Sequence, residues 1–203
     1  MIITPFLIVY YHIVFFVKKQ SLYMMCSCKK LIKTERRKST YMKLQQVMSH
    51  VRRAIDDFQM IEEGDKIAIG ISGGKDSLTL LYALSGLRRY YPKYFSLHAV
   101  TIDLGFQNMN LDQITALCQE LDVPYSIIKT DIGKIIFEER QEENPCALCS
   151  KMRKGALNNA MKELGCNKIA LGHHFDDVIE TTLLSMFYGS EVKTMLPKLH
   201  SEN

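Results

Sequence analysis

The chain has 203 residues, 47% of them hydrophobic, with eleven glycines and five prolines, which excludes a disordered or collagen-like polypeptide. Its formal charge of +4 is unevenly placed: residues 1–41 carry +7 and residues 42–203 carry −3, so the net charge does not by itself imply a basic nucleic-acid-binding surface. Six scattered cysteines do not form the dense framework of a small secreted disulfide scaffold, and reduced thiols in a cytoplasmic setting are expected.

From Ile2 to Val17 the chain is almost wholly apolar, but Pro5 and His12 interrupt it and it falls short of the roughly 20 residues a membrane-spanning helix needs. Lys18 and Lys19 follow this run, whereas a secretory signal places its positive charge first. Three readings arise: a signal anchor, a peripheral membrane contact through residues 2–17 aided by the basic run to Lys38, and non-native sequence upstream of the true start. The last is favoured, so residues 1–41 are expected to lie outside the fold, with one domain over residues 42–203. Met42 opens a helix whose apolar stripe is Leu44, Val47, Met48, Val51, Ile55 and Phe58.

Lys66 to Ile71 is a short, β-branched strand, followed by a helical pattern from Lys75 to Tyr90. Leu97 to Ile102 is a second strand, and Asn110 is the expected cap of a helix from Leu111 to Leu121. Tyr125 to Lys129 is a third strand, with a shorter helix from Ile132 to Glu139. A helix from about Ala147 to Leu164, ended by Gly165, precedes a fourth strand at Lys168 to Leu171. The last helix spans Asp176 to Phe187; nothing caps or closes an element after Lys193, so the domain is expected to be cut short at its C-terminal end. Continuous apolar strands alternating with helices imply an α/β fold with a doubly wound parallel sheet, whose ligands bind at the carboxyl ends of the strands.

The first strand empties into Gly70-Ile71-Ser72-Gly73-Gly74-Lys75-Asp76-Ser77, directly before a helix. Two glycines let the backbone approach a ligand, helix-start N–H groups can cradle phosphate oxygens, and Ser72, Lys75 and Ser77 add donors. This is not a Walker A loop, which needs Gly where Ile69 stands and Ser or Thr where Asp76 stands, nor does it match G-x-G-x-x-G. A bare Gly-Gly pair is ordinarily a turn. The hexapeptide Ser72 to Ser77, however, resembles the pyrophosphate loop of the PP-loop ATPases. That resemblance implies an adenine nucleotide alpha-hydrolase-like (PP-loop, HUP-type Rossmann-like) fold that splits ATP between its α and β phosphates, adenylating a substrate and releasing pyrophosphate.

The fourth strand empties into Gly172-His173-His174-Phe175-Asp176-Asp177. Taken alone, the two acids are as readily an N-cap and a first-turn carboxylate as a ligand set. With the loop at Ser72, the segment resembles the Gly-His-x-x-Asp-Asp signature of PP-loop enzymes that modify tRNA. The resemblance implies that Gly172, His173 and Asp177 close over the nucleotide, holding phosphates and Mg2+. By position, Ile102-Asp103-Leu104-Gly105 should line the adenosine pocket, with Asp103 at its edge.

Asn144-Pro145-Cys146-Ala147-Leu148-Cys149 opens the helix carrying Lys151, Arg153 and Lys154. A Cys-x-x-Cys at a helix N-terminus, near cations, favours thiolates that bind metal, exchange disulfides or carry sulfur. A thioredoxin-like pair, a zinc site, which would need four ligands and finds no second Cys-x-x-Cys, and plain structural cysteines are the alternatives.

Loop, cysteine pair and Gly-His-His-Phe-Asp-Asp occur in the order and spacing of one family: from about Met42 to Asn203 the chain resembles the tRNA 2-thiocytidine biosynthesis (TtcA-type) proteins. The resemblance implies a sulfurtransferase that uses ATP to replace a cytidine carbonyl oxygen by sulfur in the tRNA anticodon loop, assisted by a [4Fe–4S] cluster. It implies Cys146 and Cys149 as cluster ligands and places Asp76 and Arg153 with them in catalysis, Arg153 stabilising developing charge. Family clusters have three cysteine ligands, and the third has no counterpart here; Cys166 and Cys118 read as packed thiols. The partners implied are tRNA, a sulfur donor such as a cysteine desulfurase, and a second copy in a homodimer. A nucleotide-binding fragment without catalysis is the alternative from another class, and a lysidine-forming PP-loop ligase, which does not need the cysteine pair, is a third reading. A local basic path for tRNA is expected around Arg88, Arg89 and Lys93 or along the Lys151 to Lys154 turn.

Overall fold

The structure, a computed structural model, describes residues 4–11, 36–105, 111–139 and 145–201. In chain order it contains β1 (Thr4–Tyr11), α1 (Arg36–Asp57), β2 (Asp65–Gly70), α2 (Lys75–Leu87), β3 (Phe95–Asp103), α3 (Asp112–Glu120) and β4 (Tyr125–Lys129). There follow α4 (Ile132–Lys134), which runs into a π-helical turn (Ile135–Glu139), α5 (Pro145–Glu163), β5 (Lys168–His174), α6 (Phe175–Gly189) and β6 (Lys198–Ser201).

Alternation along β2 sorts its side chains between two cores. Ile67, Ile69 and Ile71 join Leu97 and Ala99 under α1, α2 and α3, where Val51, Ile55, Leu80, Leu84 and Ile114 are buried. Ala68 faces the other way and meets Val100 and Ile169 under α5, against Leu157, Ala160 and Met161. Each fully buried Ile or Leu contributes about 1.5–3 kcal/mol from apolar burial. Burial on both faces makes β2 apolar through Ile67–Ile69, whereas β3 alternates from Phe95 to His98 and is continuously buried only at Ala99–Thr101.

The sheet order is β4-β3-β2-β5-β1-β6. Strands β4, β3, β2, β5 and β1 are parallel, and β6 pairs antiparallel with β1. The doubly wound parallel arrangement expected from the sequence is therefore present. From β2 the chain winds outward through β3 to β4, then returns through α5 to place β5 on the other side of β2. The strand order reverses between β2 and β5, so a crevice opens where their carboxyl ends part.

One expectation, at the front of the chain, is corrected. Residues 1–41 were expected outside the fold, yet Thr4–Tyr11 is a strand in the sheet, with Phe6 in register with Ile169 and Tyr11 with His174. The first helix begins at Arg36, six residues before Met42. An apolar run rich in β-branched and aromatic residues suits a strand, and the open edge of β5 supplies the partner that composition alone cannot show. At the other end, Ser190 adopts a left-handed conformation (φ 51°) at the C-cap of α6, and Lys198–Ser201 forms β6. Asn110, the expected cap of α3, lies outside the described residues. Gly165 ends α5 as expected, with φ +65°.

No helix among the described residues is long and apolar enough to cross a membrane. Helix α6 has no buried residue, and Ile179, Leu183, Leu184, Met186 and Phe187 are exposed along it.

Candidate functional site

The loop between β2 and α2 is built from the peptide units that leave the sheet. Ile71 N–H donates to the Val100 carbonyl at 2.8 Å, and the Thr101 hydroxyl donates to the Ile71 carbonyl at 3.0 Å. Ser77, buried in the first turn of α2, reaches back: its Oγ accepts from Ser72 N–H at 3.2 Å and donates to the Gly74 carbonyl at 2.9 Å. Gly74 N–H in turn donates to Ser72 Oγ at 3.3 Å. Ser72 and Ser77 thus close the loop on itself, which is a role beyond the phosphate donation expected of them.

This closure leaves the head of α2 open. The first N–H groups of a helix have no intrahelical acceptor, and the N-cap, Gly74, has no side chain to supply one. Gly73 holds φ +80°, a conformation an L residue adopts only under strain. Lys75 is exposed at the first position of α2. Orphan N–H groups, the positive end of the helix dipole and an adjacent ammonium group form an anion cradle.

Gly172 of β5 closes the other wall. A Cβ there would lie 2.7 Å from the Asp76 backbone carbon, 2.8 Å from its oxygen and 2.8 Å from Ser77 N. Only the missing side chain lets β5 pass against the first turn of α2, so Gly172 joins the two motifs at the crevice. Directly after it, Asp177 Oδ2 accepts from His174 N–H at 2.8 Å and lies 3.4 Å from His173 Nδ1 and 3.6 Å from His174 Nδ1. The N-cap of α6 is therefore His174, not Asp176, and Asp177 acts as the N3 carboxylate that satisfies it. Asp176 is exposed beside it.

Asp103 ends β3 on the same edge, where its Oδ1 accepts from Gly105 N–H at 2.9 Å and its carbonyl accepts from Thr130 N–H at 2.9 Å. Its carboxylate fixes a turn, which leaves the backbone of Leu104 and Gly105 to shape the rim. Helix α5 ends at Glu163 and feeds β5 at the amino edge of the sheet, and 19 residues of helix span about 28 Å. Its start at Pro145 therefore lies toward the carboxyl edge, with Cys146 exposed and Cys149 half-buried. Arg153 is exposed one turn beyond and forms no ion pair among the described residues.

The remaining thiols are of another kind. Cys118 and Cys166 are buried, and burial pushes the Cys118 thiol up to about 11 and also raises that of Cys166, partly offset by Lys66. Among the described residues no group of three His, Cys, Asp or Glu is placed to hold a metal ion. Two thiols at the edge do not complete the three-cysteine set that the sequence resemblance implies for a [4Fe–4S] cluster.

Two cations of one expected basic path hold backbone carbonyls. Arg88 Nη2 donates to the carbonyls of Leu121 and Asp122 at 3.3 and 3.1 Å, and Lys93 Nζ donates to that of Ile61 at 2.8 Å. Both follow the far end of α2, about 20 Å from its head. Lys151, Arg153 and Lys154, all exposed on α5, are the cations nearer the crevice edge. Sequence reasoning did not single out Thr101, whose hydroxyl is invisible within a β-branched strand.

A glycine loop that opens a helix at the switch point of a doubly wound sheet, and that is neither Walker A nor dinucleotide-binding in pattern, defines an α/β protein with its ligand crevice between β2 and β5. The profile of the PP-loop domain matches residues 42–201, and the chain belongs to the PP-loop family. It is 42% identical over 158 residues to the tRNA-cytidine(32) 2-sulfurtransferase of Geobacter sulfurreducens, covering 77% of this chain and 62% of that protein. It is 46% identical over 152 residues to the one from Syntrophotalea carbinolica, covering 74% and 59%. The chain spans about three fifths of the length of these curated relatives. Among solved structures it is similar to the U34-tRNA thiolase NcsA from Methanococcus maripaludis, determined with its [4Fe-4S] cluster. The TM-score is 0.56 at 26% identity, over 75% of this chain and 49% of that one.

Proposed function

We propose that the chain is the ATP-binding part of a tRNA 2-thiolating enzyme acting on a cytidine in the anticodon loop. The observation that carries this is the junction of the Ser72–Ser77 loop with Gly172: an uncapped helix head held against the segment that bears His173 and Asp177. The relatives named tRNA-cytidine(32) 2-sulfurtransferase support the choice of substrate.

In this reading the N–H groups at the head of α2, with Lys75 and Ser72, hold the phosphates, and the Asp103–Gly105 turn borders the adenosine. Gly172 and His173 close the opposite wall. Asp177 Oδ1, left free by the hydrogen bond to Oδ2, would hold Mg2+, which prefers carboxylate and phosphate oxygens. The C2 carbonyl oxygen of the cytidine attacks the α-phosphorus, the α–β bond breaks and pyrophosphate leaves. A poor leaving group has become a good one: a sulfide-level nucleophile forms the C–S bond at C2, AMP departs with the oxygen, and the proton on sulfur passes to solvent. Arg153 neutralises charge on the adenylate, Asp76 sits beside the phosphates, and Cys146 and Cys149 handle the sulfur. The sulfur comes from a donor of the cysteine desulfurase kind with a thiol reductant, in the cytoplasm. Self-association is part of the same reading, supported by the exposed apolar residues of α6.

The test is incubation of the chain with ATP, unmodified tRNA and sulfide, followed by nucleotide and nucleoside chromatography. Formation of AMP and pyrophosphate that depends on tRNA, together with 2-thiocytidine in the RNA digest, is expected. ADP and phosphate as products, or AMP formation indifferent to tRNA, would overturn the reading.

A further inference from the structure

We propose that Thr101 and Tyr125 form a strut that holds the nucleotide loop in its ligand-ready shape, and that both are positioning residues for ATP. The inference rests on the reading of this loop as a nucleotide site, and it concerns two side chains that do not themselves reach the crevice.

The peptide unit between Ile71 and Ser72 is the last before the glycines, and it is clamped at both ends. Its carbonyl accepts from Thr101 Oγ1 at 3.0 Å, which ties it to β3; its N–H donates to Ser77 Oγ at 3.2 Å, which ties it to α2. Thr101 is 1% exposed, so no water replaces its bond to Ile71. A threonine hydroxyl both donates and accepts, and its direction is set by its second partner. Here that partner is Tyr125, whose OH donates to Thr101 Oγ1 at 2.8 Å and thereby commits the threonine proton to the Ile71 carbonyl. Tyr125 is the first residue of β4 and pairs with Ala99; its ring reaches diagonally along the sheet to Thr101 and packs against the α3 side of the core. Burial also raises the Tyr125 pKa, so its phenol stays a donor across the working pH range. The chain of bonds runs from β4 through β3 to the loop and ends where the backbone must turn into Gly73 at φ +80°. Without it, one end of the clamped peptide is free to rotate, and the N–H groups of the cradle lose the direction in which they point.

The variants are Thr101→Val, which keeps the shape and removes the hydroxyl, Tyr125→Phe, which removes only the outer donor, and Thr101→Ser, which restores the hydroxyl. Each is read in the full chain by amide hydrogen exchange at Ser72–Ser77 and by calorimetric titration with ATP. Thr101→Val and Tyr125→Phe are expected to speed exchange at the Ser72 amide and to weaken ATP binding about tenfold, with Thr101→Ser close to the parent. In turnover, KM for ATP rises while kcat stays within about twofold, a split that a general loss of folded protein would not produce. If Thr101→Val fails to fold, Tyr125→Phe decides, because it leaves no buried carbonyl unpaired. Exchange unchanged in Tyr125→Phe, or faster exchange with unchanged ATP affinity, overturns the strut. Faster exchange in the two variants, where the parent chain itself binds no ATP, supports the strut and overturns the nucleotide reading instead.

Discussion

At the scale of single residues, the site depends on atoms that are absent as much as on those present. A methyl at Gly172 would meet the Asp76 and Ser77 backbone at 2.7–2.8 Å, and backbone cannot give way as the tip of a side chain can. Gly172→Ala is expected to destabilise the fold by about 1–3 kcal/mol in urea unfolding and to weaken ATP binding as the head of α2 is displaced. Unchanged affinity would mean that the β5 wall does not shape the cradle. The cysteines divide by environment. In a chain with Cys26 and Cys28 changed to Ser, a thiol reagent at pH 8 is expected to modify Cys146 and Cys149 quickly. Cys118, buried and held near 11, and Cys166, also buried, should react only after denaturant is added. The glycines and serines of the loop were legible in the sequence because their spacing is itself the chemistry. Thr101 and Tyr125 were not, because a hydroxyl inside a strand becomes informative only when its partner on the next strand or in a loop is known.

Elements were legible where their period was strong. The four strands from β2 to β5 and the helices between them follow from apolar runs and 3.6-residue stripes, with ends displaced by a few residues. The start of α6 moved to Phe175 because His174, not an aspartate, is its N-cap, and Asp177 satisfies that cap from inside the helix. Strand β1 was illegible because a run of apolar residues carries no address; what fixes it is the free edge of β5. Ile8→Pro disrupts the pairing opposite Leu171, so exchange of the Ile169–His173 amides is expected to quicken, and unchanged exchange would place the segment elsewhere. The amino edge of the sheet is locked by Lys168 and Asp65, 2.7 Å apart and each 3% exposed, with Asn167 Nδ2 donating to Asp65 Oδ1 at 2.7 Å. Asp65→Ala removes the buried partner of the Lys168 ammonium group, leaving it the Met60 carbonyl at 3.0 Å and the exposed Glu62 at 3.7 Å, and is expected to cost about 3–5 kcal/mol in urea unfolding. A loss below about 1 kcal/mol would show that water reaches Lys168.

At the scale of the whole molecule, winding places the chemistry. The reversal between β2 and β5 brings together Ser72–Ser77 and Gly172–Asp177, which lie about a hundred residues apart in sequence, and points the start of α5 toward the same edge. The −3 of residues 42–203 says little about RNA, whereas the cations of α5 lie toward the crevice edge and Arg88 and Lys93 hold carbonyls at the far one. ATP is expected to bind in the cradle at the head of α2. The most direct test is calorimetric titration of ATP into the 203-residue chain and into Lys75→Ala. Saturable binding at one site is expected, weakened at least about tenfold by loss of the ammonium group. No binding by the parent chain, or equal affinity in the two proteins, would contradict it.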